Sequence, residues 1–302
     1  MPEGPEVRIM TDYLNNEFST RSVVRVEKSP ISKNKCDLSI LDNKTWQVSF
    51  LCRGKQMMII FKNGEEEHRM TVGFARIGLV EFYDLNNIDQ AEFDKKGMLR
   101  LYTHDRVYFV SDFTRYVIWK WSNIWHERRS PDIVLEHNAW REHLYSLRHN
   151  KLFKKKFNRP IFEIMSDQYM FNGVGNFSKC EILARVRFSP FTTLTEVVDN
   201  DLLRADFFDV IKDTLSDIHR HGGLQFQYWT NPFRQNRDTF DKWVMCYRRI
   251  RKSYFMKDSV GRTFWFMKKW LPDYIEYVKD SDVQDTRLLE KIYRLKRNKK
   301  WL

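Results

Sequence analysis

The sequence predicts an α+β chain of more than one domain: a helix and a β-rich unit, then a helical unit closed by a small hairpin. Three observations predict it. Val7, Met10 and Leu14 recur at helical spacing near the N-terminus. From Ser22 to about Trp121 the chain reads as short β-branched or aromatic runs separated by Asn, Asp, Gly or Pro. After about Ser130 the apolar spacing becomes helical.

The first helix is expected from about Pro5 to Asn16. Pro5 suits a first turn, where its missing N–H is no loss, and Glu6 suits the positive end of the same helix. The strand runs are SVVRVEKSP, WQVSFLC, QMMIIF, GLVEFY and RVYFVSD, and Asn63-Gly64 in FKNGEE marks a hairpin. One helix with many short strands points to a sandwich or barrel with the helix packed on it. In the second half, Pro160 opens a helix whose face carries Ile161, Ile164, Met165, Gln168 and Tyr169. A second helix follows NGVGN, with Phe177, Cys180, Leu183 and Ala184 on one side, and a third spans Asp201 to His219. YFMKDSVGRTFWF reads as two strands around a turn containing Gly261, and the basic C-terminal stretch reads as helical. The boundary falls between Trp121 and Arg141.

The 302 residues carry a formal net charge of +12. A surplus of that size points to a polyanionic partner, nucleic acid ahead of an acidic membrane surface, because no basic helix with a wide apolar face stands out. No apolar run approaches a membrane span, and no charged-then-apolar leader precedes the first helix, so a soluble intracellular protein is expected. Cys36, Cys52, Cys180 and Cys246 have no paired spacing, which fits a reducing compartment rather than a disulfide framework.

Three constellations carry chemistry. In FNGVGNFSKCEIL, Gly173 and Gly175 precede a helix start, where exposed N–H groups bind phosphate well; Asn176 would cap that helix or hold a phosphate oxygen. The plain alternative is a tight turn that needs glycine. In LCRGKQMMII, Lys55 follows Gly54 in a turn between strands; in SVGRTFWF, Arg262 stands at a hairpin tip, where it could grip phosphate. Each basic residue alone reads equally as a solvated charge.

PEGPEV, RGK, SDFTRY, SPDIV, NGVGN with Glu181 after it, and GRTFW follow one another in an order that resembles the formamidopyrimidine-DNA glycosylase and endonuclease VIII (Fpg/Nei) family. The likeness covers residues 1 to about 267 and is nearest the endonuclease VIII-like branch, giant-virus members included. It implies an N-terminal helix plus eight-stranded β-sandwich over residues 1–130, a helix-two-turn-helix DNA-binding domain over 131–242, a finger hairpin over 243–270 and a basic tail over 271–302. It also implies a monomer acting on damaged DNA, intracellular, with a nucleus or a viral replication compartment as possible settings.

By that resemblance Pro2, freed by removal of Met1, is the nucleophile and Glu3 its acid/base partner. Lys55 contacts DNA and assists elimination, Asn176 holds backbone phosphate and Arg262 grips phosphate at the lesion. Met70, Arg115 and Tyr116 are candidates to fill the gap left by a flipped base; for Met70 a core position is the alternative. Most members hold the finger with four cysteines on zinc. Only Cys246 lies there, so a zincless finger is expected, with no metal and no cofactor, and with Tyr254, Phe255, Phe264, Trp265 and Phe266 packing in place of the ion.

The chemistry suits the first two residues. A terminal amine has a pKa of about 8, against about 10.4 for lysine, so a usable neutral fraction exists at neutral pH. Attack on C1′ displaces the base and leaves an iminium, an electron sink for elimination of the 3′ phosphate and then of the sugar remnant. The expected function is therefore a DNA glycosylase/AP lyase acting by β,δ-elimination. The stretch HGGLQFQYWTNP, where relatives carry a capping loop, and the zincless finger favour oxidised pyrimidines, ring-opened purines and hydantoins over 8-oxoguanine. The rival is a non-catalytic binder of damaged or single-stranded DNA on the same scaffold; an RNA-binding reading leaves Pro2 unexplained.

Overall fold

The structure is a computed structural model, and it describes residues 2–74, 78–112, 114–223 and 237–270. The stretch compared above with a capping loop falls mostly outside the described residues, and the basic segment 271–302 lies wholly outside them.

Helix α1 runs Gly4–Glu17 with proline in its first turn, slightly longer than the spacing predicts. Its inner face is Val7, Met10, Tyr13 and Leu14, all nearly devoid of exposed surface. Each buried aliphatic side chain of this kind contributes roughly 1.5–3 kcal/mol.

Eight strands follow: β1 Arg25–Lys28, β2 Gln47–Arg53, β3 Gln56–Asn63, β4 Glu66–Gly73, β5 Leu79–Asp84, β6 Gly97–Tyr102, β7 Arg106–Ser111 and β8 Ile118–Trp121, with helix α2 Gln90–Lys96 before β6. They form two antiparallel four-stranded sheets, ordered β1-β6-β7-β5 and β2-β3-β4-β8. Val26, Leu99, Leu101 and Val110 of one sheet and Val48, Phe50, Ile59 and Val72 of the other share one core with α1. Both hairpin loops in the second sheet have two residues. Arg53 pairs with Gln56, which leaves Gly54 and Lys55 between them; Asn63 pairs with Glu66, which leaves Gly64 and Glu65. Each loop opens on a glycine with positive φ, 55° at Gly54 and 60° at Gly64, as such tight turns require. Asn63 therefore ends the strand instead of entering the turn.

The second half contains α3 His137–His149, α4 Lys154–Phe157, α5 Ile161–Ile164, α6 Asn176–Arg185, α7 Leu194–Asp199, α8 Asp201–Arg220 and α9 Arg237–Trp243, then β9 Ser253–Lys257 and β10 Thr263–Met267. Helix α5 is a single turn, shorter than the apolar spacing suggests. Asp167 interrupts it: its carboxylate accepts the Tyr169 N–H at 3.0 Å and pairs with Lys156 at 2.6 Å, so the chain turns there. Helix α8 starts where Asn200 accepts the N–H groups of Leu202 and Leu203.

The β9–β10 hairpin shares the helical core. Tyr254, Phe264 and Phe266 are buried in it, and Phe264 stacks on Phe162 of α5 with ring centroids 4.7 Å apart. Phe255 and Trp265 pair on the other face of the hairpin, 5.0 Å between centroids. Cys180 and Cys246 are buried free thiols; the Trp265 N–H points at the Cys180 sulfur, 3.3 Å away. Among the described residues, no helix is long and apolar enough to cross a membrane, and no group of three His, Cys, Asp or Glu stands where it could hold a metal.

Candidate active site

The chain's start is drawn into the junction of its two halves. Pro2 and Glu3 are buried. The Gly4 N–H donates to the Gly173 carbonyl at 2.8 Å, pinning the entry of α1 to the loop before α6. The Glu3 carboxylate then caps α6: Oε1 accepts the Phe177 N–H at 2.8 Å and Oε2 the Ser178 N–H at 2.9 Å. An anion at a helix N-terminus gains from two otherwise orphaned donors and from the positive end of the dipole. The Glu6 carboxylate in turn accepts the Glu3 N–H at 2.8 Å, so both ends of Glu3 are fixed.

This capping changes the reading of the glycines. The sequence suggests that Gly173 and Gly175 cradle phosphate at the α6 N-terminus. In the structure the anion there is Glu3, and both glycine N–H groups are used within the protein, Gly173 on Gln168 Oε1 at 3.1 Å and Gly175 on Ser178 Oγ at 3.0 Å. Their role is close approach. A Cβ on Gly175 would lie 2.1 Å from Glu3 Oε1, and Gly173, at φ 100°, packs its backbone against Gly4 and Gly54. The turn alternative is thus the one realised, and what the turn admits is the catalytic candidate pair itself.

Lys55 reaches the same place from the β2–β3 loop. It is 3% exposed, and its Nζ donates to the Val174 carbonyl at 2.7 Å. Burial, reinforced by the Arg129 and Arg262 charges and opposed by Glu3, pushes its pKa down to about 8. Asn172 holds this loop: its Nδ2 donates to the carbonyls of Arg53 and Ser130 at 3.3 and 3.0 Å, and its Oδ1 faces the Lys55 N–H and the Arg129 guanidinium. Asp132 supports the loop by accepting the Gly54 N–H at 2.7 Å. Sequence reasoning missed Asn172, Arg129 and Asp132. For Asn172 and Asp132 the signal lay in NGVGN and SPDIV, read for Gly173, Gly175, Asn176 and their order; Arg129 directly precedes SPDIV.

Asn176 and Arg262 meet at the hairpin. Asn176 Nδ2 donates to the Thr263 carbonyl at 2.7 Å, while its buried Oδ1 has no hydrogen-bond partner among the described residues. Arg262 is 40% exposed and directs Nε to Asp258 at 3.1 Å. Glu181, wholly buried, accepts the N–H groups of Met245, Cys246 and Tyr247 at 2.8 to 2.9 Å, tying α6 to the segment that leads into β9.

The flipped-base candidates separate. Arg115 and Tyr116 are exposed on a loop organised by Asp112, which accepts the N–H groups of Thr114, Tyr116 and Val117 at 2.7 to 2.8 Å. Arg115 takes φ 59°, held there by that loop. Met70 has no exposed surface: it lies in β4 between Ile59 and Trp121, inside the core between the sheets. That is the core position the sequence left open, and a side chain enclosed there offers DNA no surface.

No family model matches the chain. Among curated proteins it is 27% identical over 295 residues to human Endonuclease 8-like 1, covering 88% of this chain and 72% of that protein. It is 24% identical over 241 residues to Endonuclease 8 of Pectobacterium carotovorum, covering 74% and 86% respectively. Among solved structures it superposes on Lactococcus lactis formamido-pyrimidine DNA glycosylase, non-covalently bound to DNA containing an AP site, with a TM-score of 0.68 at 16% identity over 88% of this chain and 97% of that one. It superposes equally on MutM bound to DNA carrying carbocyclic 8-oxo-G, TM-score 0.68 over 88% and 98%.

The chain is similar to Fpg/Nei proteins over most of its length. Within the chain, α6 is the common anchor. Its first turn holds Glu3, Asn176 reaches β10, and Glu181 holds the approach to β9. Elements from both halves are thereby fixed relative to the start of the chain.

Proposed function

We propose that the protein is a bifunctional DNA glycosylase/AP lyase that removes oxidised bases in base excision repair. The observation that supports this reading is the fixing of Glu3, the residue after Pro2, at both ends, with buried Lys55 feeling the Glu3 charge. With Met1 removed, the secondary amine of Pro2 attacks C1′ of the flipped nucleotide, the bond to the base breaks and the base leaves with a proton; the C1′–O4′ bond then breaks as O4′ takes up a proton, and the nitrogen lone pair completes the iminium. The resulting iminium draws electrons from C2′ as its proton departs, which expels the 3′ phosphate; a second elimination releases the sugar remnant. Glu3 is the group placed to move protons at the sugar.

Lys55 and Arg262 supply positive charge to the phosphates, and α6 with the loop before it acts as the helix-two-turn-helix element through Asn176. Gly173 and Gly175 serve DNA indirectly, by letting the first residues seat. The β9–β10 pair serves as a zincless finger, held by the aromatic packing of Tyr254, Phe264 and Phe266. Arg115 and Tyr116 enter the duplex where the damaged base leaves it, which costs least at a weakened pair. Oxidised pyrimidines, ring-opened purines and hydantoins are the favoured lesions. Incubation with single-lesion duplexes and with an abasic duplex tests the reading. Excision of these bases with strand cleavage is expected; binding without cleavage would mark a non-catalytic binder, and efficient excision of 8-oxoguanine opposite cytosine would overturn the lesion preference.

A further inference from the structure

Arg262 is not simply an exposed arginine on a turn. The turn from residue 258 to residue 262 is built around Asp258, which is almost fully buried. The Asp258 N–H donates to the Arg262 carbonyl at 2.8 Å and the Gly261 N–H to the Asp258 carbonyl at 2.9 Å. Asp258 Oδ1 accepts the N–H groups of Val260 and Arg262 at 3.2 and 2.9 Å. Its Oδ2 accepts Arg262 Nε at 3.1 Å and the ammonium of Lys179 at 3.2 Å. Lys179 comes from the middle of α6, and its side chain has no exposed surface. Burial opposes ionisation of Asp258, but the Lys179 charge, the Arg262 N–H and the Arg262 charge outweigh it and hold the carboxyl below the usual range.

Two features of this cluster exceed what a turn needs. First, Asp258 engages Arg262 through Nε and leaves both terminal nitrogens without a partner among the described residues. Those two nitrogens form one of the forks with which guanidinium grips phosphate. Second, a carboxylate paired with arginine alone would cancel its charge. The third member restores it: one anion between two cations leaves a net single positive charge at the hairpin tip. A buried lysine is costly unless compensated; here Asp258 and the Phe264 ring, 5.2 Å from its ammonium, face it.

We propose that Asp258 is a positioning residue that aims the Arg262 fork at a DNA backbone phosphate, and that Lys179 behind it keeps the cluster net positive. The proposal rests on the reading of Arg262 as a phosphate ligand. It also makes α6 the element that sets the guanidinium, through Lys179, as it sets Glu3 through the N–H groups of its first turn.

The test is a double-mutant cycle on the full chain, read as affinity for a duplex carrying a tetrahydrofuran abasic analogue over a range of salt. R262A is expected to weaken binding about tenfold or more, the scale of charge-assisted hydrogen bonds. The pair D258N/K179M exchanges the buried ions for uncharged groups of similar size, a change folds tolerate. It is expected to weaken binding severalfold in the wild-type background and less than twofold in the R262A background. K179M alone is expected to weaken binding, and to flatten the salt dependence by up to one phosphate contact. Its effect must likewise vanish in the R262A background, which keeps the test available should the double variant melt below the assay temperature. Losses of equal size with and without Arg262, or no loss beside an intact Arg262, would overturn the proposal while leaving Arg262 a phosphate ligand. An R262A variant that binds as tightly as wild type would remove the ligand reading and the proposal together.

Discussion

The Glu3 carboxylate bridges to the first turn of α6, accepting the N–H groups of Phe177 and Ser178 at 2.8 and 2.9 Å. A residue at the start of the chain thus completes a helix that begins more than 170 positions later. The same contact orients the proposed acid/base group and joins the two halves.

Replacing Glu3 with glutamine should therefore cost both activity and stability. One amide oxygen can still accept, but the amide nitrogen faces a second donor. A stability loss of about 1–3 kcal/mol is expected, the scale of an unsatisfied buried polar group. Thermal melts of E3Q against wild type check it; unchanged melting with lost base excision would confine Glu3 to chemistry.

Gly175→Ala should act like a Glu3 substitution made from the other side. Its Cβ would fall 2.1 Å from Glu3 Oε1, so the carboxylate must leave the helix. Strand cleavage should fall with melting temperature, and the E3Q/G175A pair should melt close to the worse single variant, because both remove one contact. Additive losses in the melts would contradict this.

Lys55 gives a pH signature. Its ordinary pKa is 10.5 and burial brings it to about 8 in the folded chain. Between those values the unfolded chain holds a proton that the folded chain lacks, so the Lys55 contribution to stability rises with pH through this window and is least favourable below about pH 8. Denaturant melts of wild type and K55M from pH 7 to 10.5 should show wild type gaining on K55M as pH rises. A constant difference would mean that Lys55 is not desolvated.

Asn172→Ala should release the β2–β3 loop. The amide binds the carbonyls of Arg53 and Ser130, both from outside its own loop. A destabilisation of about 1–3 kcal/mol is expected, with the larger effect on elimination, because Lys55 Nζ then loses its fixed approach to Val174. Comparing base release with strand cleavage in N172A separates the two steps; equal losses would make Asn172 purely structural.

Much of this was legible in the residues, and the exceptions have physical causes. The α1 spacing, the Gly54 and Gly64 turns and the Gly261 turn were visible because local geometry demands those residue types. Strands β4, β6 and β8 were not; β8 has only four residues. β4 opens on the charged run Glu66-Glu67-His68-Arg69, and β6 is buried on both faces, so neither alternates. Pro2, Glu3, Lys55 and Arg262 were legible as a set only through motif order, since each alone suits an exposed surface. The function of Gly173 and Gly175 was not legible: their partners, Glu3, Gly4 and Gly54, are distant in sequence. Asp258 and Lys179 were missed for the same reason, as a buried ion pair between a helix and a turn leaves no local pattern.

The central claim is a covalent bond between Pro2 and the sugar. Borohydride reduction during reaction with an abasic duplex, followed by digestion and mass spectrometry, tests it directly. A deoxyribose adduct on residue 2 that disappears in P2A is expected. An adduct on a lysine with cleavage undiminished in P2A would contradict it.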